Sequence, residues 1–430
     1  MTNYRGAAPP ENPPTLSVHR GEVGRLRVAV APIAGLRSVV ALLALEAGQW
    51  SEPDGRPGIA RLVAQTLLRG TERHDAAGWA SALDDLGAVA RMDVGSHAAI
   101  LSGQSLAADL GTYLGLAADA VLRPAFAAAE LEIVRTQTIA ALEEESRDTR
   151  GVADRVWREL AYPPRHPFRT RALGDEAVVR GATVDDLRAF HRREVLGRGG
   201  VLVLAGAVEA GEGLAAAEEA FGSWPAGERP GPRHVPQAAI SALQRRDEVV
   251  PDKTQTDVVL GWLGIPRTDP RFVAARVTNM VFAADTFASR AGKVVRDELG
   301  LAYYIFSTIG ATKGQGAWTV RMGVNPGNVG TAITTTLAEL RKVLAGDFPA
   351  DDLALAQDKL VGELQVALES PGGIAGMVLE AELFGLGDDH LERYPDQLRS
   401  VTKEEVVETA RAFLPADRYA LSTAGPPLGR

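Results

Sequence analysis

The sequence predicts an α+β protein of two similar domains, each a mainly antiparallel sheet covered by helices. Three observations carry this expectation. A run rich in proline and glycine cuts the chain near its middle, the order of segments before the cut recurs after it, and short strand-like runs adjoin groups of helices without strict alternation. The run, Pro225 to Pro236, holds four prolines and two glycines, which neither a helix nor a central strand tolerates. The expected layout is a disordered tail at 1–15, a first domain at 16–225, a linker at 226–238 and a second domain at 239–430.

In the first half, Leu26 to Ala31 and Val39 to Leu45 alternate and branch like a strand hairpin. An alanine-rich helical pattern follows from Leu106 to Leu122 and ends at Arg123-Pro124-Ala125-Phe126. Further helices are predicted from about Ala128 to Glu145 and from Gly151 to Leu160. Thr183, followed by Asp185 and Asp186, caps another. Val201 to Gly206 closes the half as a short apolar strand. The second half opens with strands at Thr256–Trp262 and Ala317–Met322. Helices then cover 328–344, 350–368 and 374–383, Thr402 caps one more, and Tyr419 to Gly425 is the closing strand. Phe126 and Phe348 lie 222 positions apart, and Thr183 and Thr402 lie 219 apart. A nearly constant offset over such a distance indicates a duplicated domain rather than a solenoid.

Composition excludes several classes. Of 430 residues, 46% are hydrophobic and 23% charged, enough apolar material for packed cores. The net charge of −9 leaves no basic excess to neutralise nucleic-acid phosphates, and Arg192-Arg193 and Arg245-Arg246 read as solvated surface. With no cysteine, disulfides, thiolate metal sites and a cysteine nucleophile are out. The polar first residues lack the apolar segment of a secretory signal, and no run approaches the ~20 apolar residues of a membrane span. A cytoplasmic protein is the expectation.

The segment from Gly58-Ile59-Ala60 through Arg61-Leu62-Val63-Ala64-Gln65 to Gly70-Thr71 resembles the zinc-binding helix of the pitrilysin/insulinase family of peptidases. That family frames an H-x-x-E-H motif between Gly-Ile/Leu-Ala and Gly-Thr; two histidines hold zinc and the glutamate activates water. Here Arg61 takes the place of the first histidine, Ala64 of the glutamate and Gln65 of the second histidine. Arginine donates only and cannot coordinate Zn²⁺, and alanine is no base. The third ligand of the family is a later glutamate, whose place the resemblance sets at or near Glu143. Read by themselves, Glu143, Glu144 and Glu145 are a solvated helix face. The seven histidines, His19, His74, His97, His166, His191, His234 and His390, include no i,i+4 pair and read as surface or loop residues. No G-x-S-x-G elbow is present.

The segment Phe287 to Tyr304 resembles the signature of the family's second domain, in which a helix bearing an arginine ends at a glycine and enters a strand through Leu-Ala-Tyr. Gly300 suits a left-handed helix end, Tyr303 to Ser307 a strand, and Tyr304 would then face the core. Ala311 to Gly316 reads as a hairpin turn, since it lacks the order of a phosphate-binding loop. By resemblance, Arg296 and Tyr303 are the pair that grips the backbone of a bound peptide opposite the zinc. The resemblance therefore implies the zinc-free subunit of a heterodimeric metallopeptidase, with no cofactor of its own and not catalytic alone. Its partner would be a homologous H-x-x-E-H-bearing subunit supplying zinc, and its substrate an extended peptide, in leader-peptide processing or peptide turnover. A purely structural core subunit and a standalone peptide-binding protein remain as alternatives.

Overall fold

A computed structural model describes residues 16–225, 230–231, 233 and 235–428. The expected tail, part of the linker and His234 lie outside the described residues. In the first half, strands β1 (His19–Val23), β2 (Leu26–Pro32), β3 (Ser38–Leu45), β4 (Val89–Val94), β5 (Ala99–Leu106) and β6 (Gly200–Gly206) form one sheet in the order β1-β2-β6-β3-β5-β4. In the second half, β7 (Gln244–Val249), β8 (Thr256–Leu263), β9 (Ala302–Ile309), β10 (Ala317–Val324) and β11 (Ala420–Gly425) form another in the order β7-β11-β8-β10-β9. Without its extra edge strand β1, the first order is the second one repeated. In each sheet the last strand inserts in parallel beside the first, and the remaining pairs are antiparallel.

This insertion corrects the expected hairpin at 26–45. Residues 26–32 and 38–45 are connected in sequence, but β6 lies between them. The long-range pairing wins because β6 is apolar on both faces and needs neighbours on both edges. The helical pattern expected from Leu106 begins only after β5, which runs to Leu106. The turn at 311–316 does join an antiparallel pair, β9 and β10.

The helices of the first half are α1 (Ile59–Leu67), α2 (Ala76–Asp85), α3 (Leu110–Leu122), α4 (Ala128–Arg147), α5 (Thr149–Ala161), α6 (Glu176–Gly181), α7 (Val184–Phe190) and α8 (Ala210–Phe221). Those of the second are α9 (Phe272–Phe282), α10 (Arg290–Gly292), α11 (Val329–Ala345), α12 (Ala350–Leu368), α13 (Pro371–Phe384), α14 (His390–Ser400) and α15 (Lys403–Phe413). Thr183 and Thr402 each form a reciprocal cap with the acid three residues on, Asp186 and Glu405.

Each half gives one helix to the other. In β6, Leu202 and Leu204 face the helices of their own half, while Val201, Val203 and Ala205 face α13, whose Ile374, Ala375, Val378 and Leu379 complete that layer. In β8, Leu260 and Trp262 face their own half, and Val259 meets Val152, Val156 and Trp157 of α5. Period-2 alternation of strand side chains thus builds two apolar layers per sheet, one local and one borrowed. Ser422 of β11 donates to the carbonyl oxygen of Ala153 at 2.6 Å, tying α5 to its foreign sheet.

Charged groups fasten the same junction. Asp154 on α5 accepts from Arg158 at 2.8 Å and from Arg321 of β10 at 2.5 Å. Burial alone would raise its pKa, but the guanidinium groups of Arg158 and Arg321 outweigh burial and hold it far below the usual carboxylate range. The 311–316 turn docks on the first half through the Lys313 main-chain N–H, which donates to His97 Nε2 at 2.9 Å. Burial and the nearby Lys313 charge push His97 down to about 4, so it stays a neutral acceptor.

Two histidines depart from the surface-or-loop expectation, and two loop histidines are packed rather than free. His191 and His390 are buried helix residues, and the loop residues His166 and His97 pack into aromatic clusters with Phe168 and Trp50. His191 Nε2–H donates to the Val121 carbonyl oxygen at 2.7 Å. An imidazole satisfied by one carbonyl is affordable core material, which spacing does not reveal.

Asp154→Asn is expected to cost roughly 3–5 kcal/mol, because it strands two arginines at the junction. Since the folded pKa of Asp154 is depressed, its stabilisation is present above about pH 4 and is lost as pH falls towards the folded value. Denaturant unfolding at pH 7 and at about pH 3 measures both effects; the variant should show the smaller acid-induced loss.

Candidate functional site

The helix that resembles a zinc helix is present as α1, and its start is tightly built. Gly58 has φ +102°, and a Cβ there would stand 2.9 Å from the Gly174 Cα, so the crossing of these two chain segments requires glycine. Buried Glu52 caps the helix: its Oε1 accepts from the N–H groups of Gly58 at 2.7 Å and Ala60 at 3.1 Å. Burial pushes this carboxyl up to about 8, although the two N–H groups and Arg233 oppose the shift.

The residues at the ligand positions do not fit zinc. Ala64 is buried in the core, 1% exposed. The Gln65 amide Nε2 donates to the Met92 carbonyl oxygen of β4 at 2.7 Å, so it is spent on holding helix to strand. Arg61 is half-buried, and its Nε makes no hydrogen bond. Burial lowers the Arg61 pKa, opposed by the charge of Asp93. Among the described residues, no three of His, Asp and Glu stand close enough together to hold a metal ion.

Glu143 does not turn towards α1. It and Glu144 are exposed, while Ile139 and Leu142 are the α4 residues packed on the core cluster that contains Ala64. Glu145 faces inward and pairs with Arg171; burial raises its pKa against that pairing. The solvated-face reading therefore describes two of the three glutamates.

Arg296 and Tyr303 are brought side by side. Arg296 sits on a wide helical turn (Lys293–Glu298) that continues α10, the chain reverses at Gly300 with φ +59°, and Tyr303 lies at the start of β9. Arg296 Nε donates to the Tyr303 main-chain oxygen at 3.1 Å, Nη1 reaches Asp297 at 2.9 Å, and the guanidinium stacks on the Phe287 ring, 4.4 Å from its centroid. Tyr303 is 82% exposed on an edge strand, and its phenol makes no hydrogen bond among the described residues. An arginine fork with an unused nitrogen and a free phenol, beside an unpaired strand edge, can hold the carbonyl groups of an extended chain.

Tyr304 is not the core residue expected from strand alternation. It is half-buried, and its hydroxyl bonds to Asp257 and accepts from Arg150 Nε at 3.2 Å. Asp257 also takes the Thr149 hydroxyl. This polar knot joins the start of α5 to the second sheet. It escapes sequence reading because its members stand up to 155 positions apart.

Spacing also gives no sign of the pocket beside α1, a cavity of about 370 Å³ lined by Arg61, Arg158, Arg171, Gln49 and Ser96 among others. Its arginines come from a helix of the zinc-like frame, from α5 and from the loop after it.

Glu52→Gln keeps the acceptor oxygen for α1 and removes the ionisation. A buried carboxyl with a raised pKa stabilises most at low pH and loses that stabilisation as pH rises towards about 8. The wild-type protein is therefore expected to lose stability from pH 5 to 8, and the variant to be flatter and more stable at pH 8 by on the order of 1–4 kcal/mol. Denaturant titrations across that range measure it.

The chain is similar to several known proteins. Residues 181–360 match the family model described as the Peptidase M16 inactive domain. An uncharacterized zinc protease of Streptomyces coelicolor is 25% identical over 412 residues, covering 94% of this chain and 88% of that protein. One from Mycobacterium tuberculosis is 26% identical over 407 residues, covering 94% and 92%. The mitochondrial-processing peptidase subunit beta of Saccharomyces cerevisiae is 20% identical, covering 89% and 85%. Among solved structures, a peptidase M16 inactive domain from Pseudomonas fluorescens superimposes with a TM-score of 0.89 at 23% identity, covering 96% of this chain and 100% of the other. A protease from Helicobacter pylori does so at 0.87 and 16%, with the same coverage. Those two likenesses establish the shared two-domain fold. Residues 181–360 thus carry a Peptidase M16 inactive domain, and the chain is homologous over nearly its whole length to the uncharacterized zinc proteases and to the processing-peptidase subunit beta.

Proposed function

We propose that this chain is the zinc-free subunit of a heterodimeric M16 peptidase, which binds an extended peptide and completes the active site of a partner bearing H-x-x-E-H. The observation that carries the reading is the exposed Tyr303 phenol beside Arg296 on an unpaired strand edge. A large aromatic 82% exposed with an unused hydroxyl is poor packing material, and it has the chemistry to donate to a peptide carbonyl. The remodelled α1 supports the same assignment, because Arg61, Ala64 and Gln65 leave this chain neither zinc ligands nor a general base. The zinc then comes from the partner. Leader-peptide removal or peptide turnover in the cytoplasm is the proposed use. No helix among the described residues is long and apolar enough to cross a membrane.

The test is co-expression with a homologous H-x-x-E-H-bearing chain from the same organism, followed by cleavage of a fluorogenic peptide. Activity is expected from the mixture and from neither chain alone. Arg296→Ala and Tyr303→Phe should each lower kcat/KM of the mixture by roughly tenfold or more, the equivalent of one lost charged or positioned hydrogen bond, without weakening assembly. Full activity in both variants would favour a purely structural subunit, and activity of the single chain abolished by a chelator would overturn the proposal.

A further inference from the structure

The pocket beside α1 holds an arginine that the fold leaves uncompensated. Its wall includes Arg61, Arg158 and Arg171 and no carboxylate. Arg158 is satisfied by Asp154 at 2.8 Å and by the Phe168 carbonyl at 3.1 Å, and Arg171 by Glu145. Arg61 has no hydrogen bond or ion pair among the described residues. The opposing charge that acts on it, Asp93, sits on an exposed strand and pairs with Arg91 at 3.1 Å. Arginine cannot escape burial by losing its proton, so a half-buried, unpartnered guanidinium is a standing cost. Its Nε is buried and unbonded. The Ser96 hydroxyl on the same wall makes no hydrogen bond among the described residues either. One unmatched positive charge with spare donors in a concave site suits a planar monoanion held by a guanidinium fork.

We propose that this pocket, built where the family places its zinc helix, binds a carboxylate of the peptide that the chain holds. The helix would thus have exchanged a metal that attacks the peptide for a cation that anchors it. Arg61 supplies the fork, Ser96 a hydroxyl donor, and Arg158 and Arg171 the surrounding positive field, each already held in place by its own acid. The proposal rests on the peptide-binding reading of the preceding section. The carboxylate is either the chain terminus of the peptide or an acidic side chain within it, two sources of one chemistry.

The experiment measures binding of matched extended peptides to the full-length chain by calorimetry. One peptide has a free C-terminus and acidic side chains, a second is C-terminally amidated, and a third carries Gln and Asn for Glu and Asp. Masking the responsible carboxylate is expected to weaken binding about tenfold or more. With Arg61→Met, all three peptides should bind equally, at the level of the masked peptide on the wild type. The Tm of this variant is expected to equal or exceed that of the wild type, because no partner is stranded. Equal binding of all three peptides to the wild-type chain would overturn the proposal and leave the peptide-binding reading intact, and this comparison stands without the variant. If no peptide binds, thermal shifts decide the matter at matched ionic strength. Acetate raising the Tm of the wild type but not of Arg61→Met would keep the anion pocket and remove the peptide reading. Stabilisation by inorganic phosphate alone, or by neither anion, would overturn the carboxylate assignment.

Discussion

The mutual exchange of one helix between the two halves organises the structure. Helix α5 leaves its own sheet to cover β8 and β11, and its counterpart α13 covers β3 and β6. Each sheet would otherwise present the second face of a central strand to water, since β6 and β11 are buried along their whole length. Neither half can close its own core without the other. Two features beside the candidate sites depend on this exchange. Arg158 reaches the pocket beside α1 from α5, and the Thr149–Asp257–Tyr304 knot pins the start of α5 beneath β9, the strand that carries Tyr303.

Helix α1, which resembles a zinc helix, is built into the core by its own contacts. Ala64 fills a core position, Gln65 bonds to Met92, and Glu52 still caps a helix whose entry needs the Gly58–Gly174 crossing. Each of these holds the helix in place while removing what a metal requires. Arg61 is the exception, since it contributes a charge without a partner among the described residues. The second-half signature runs the other way. Its arginine and tyrosine are held by local bonds, Arg296 to the Tyr303 carbonyl and to Asp297, yet leave their outer donors free.

Much of this was legible from sequence because it depends on local rules. Capping threonines, a glycine at a helix end, and the apolar strand 201–206 act within a few residues, so they are visible in the order of residue types. What failed has one cause. The hairpin at 26–45 is undone by a strand that begins 155 positions after Leu45, Tyr304 is diverted from the core by Asp257 and Arg150, and His191 is buried by a carbonyl 70 positions distant. In each case the competing partner arrives only with the tertiary fold.

By itself the sequence determined the duplication, the two α+β halves, the residue types in the helix that resembles a zinc helix, and the arginine and tyrosine seven positions apart. These are matters of residue identity and short-range spacing, and no fold alters them. Only the tertiary structure decided that the halves trade helices, that Glu143 points to solvent, and that among the described residues the Tyr303 phenol is unbonded and Arg61 lacks the acid its neighbours have. Burial and pairing are properties of a residue's surroundings, and those are assembled here from segments as much as 362 residues apart.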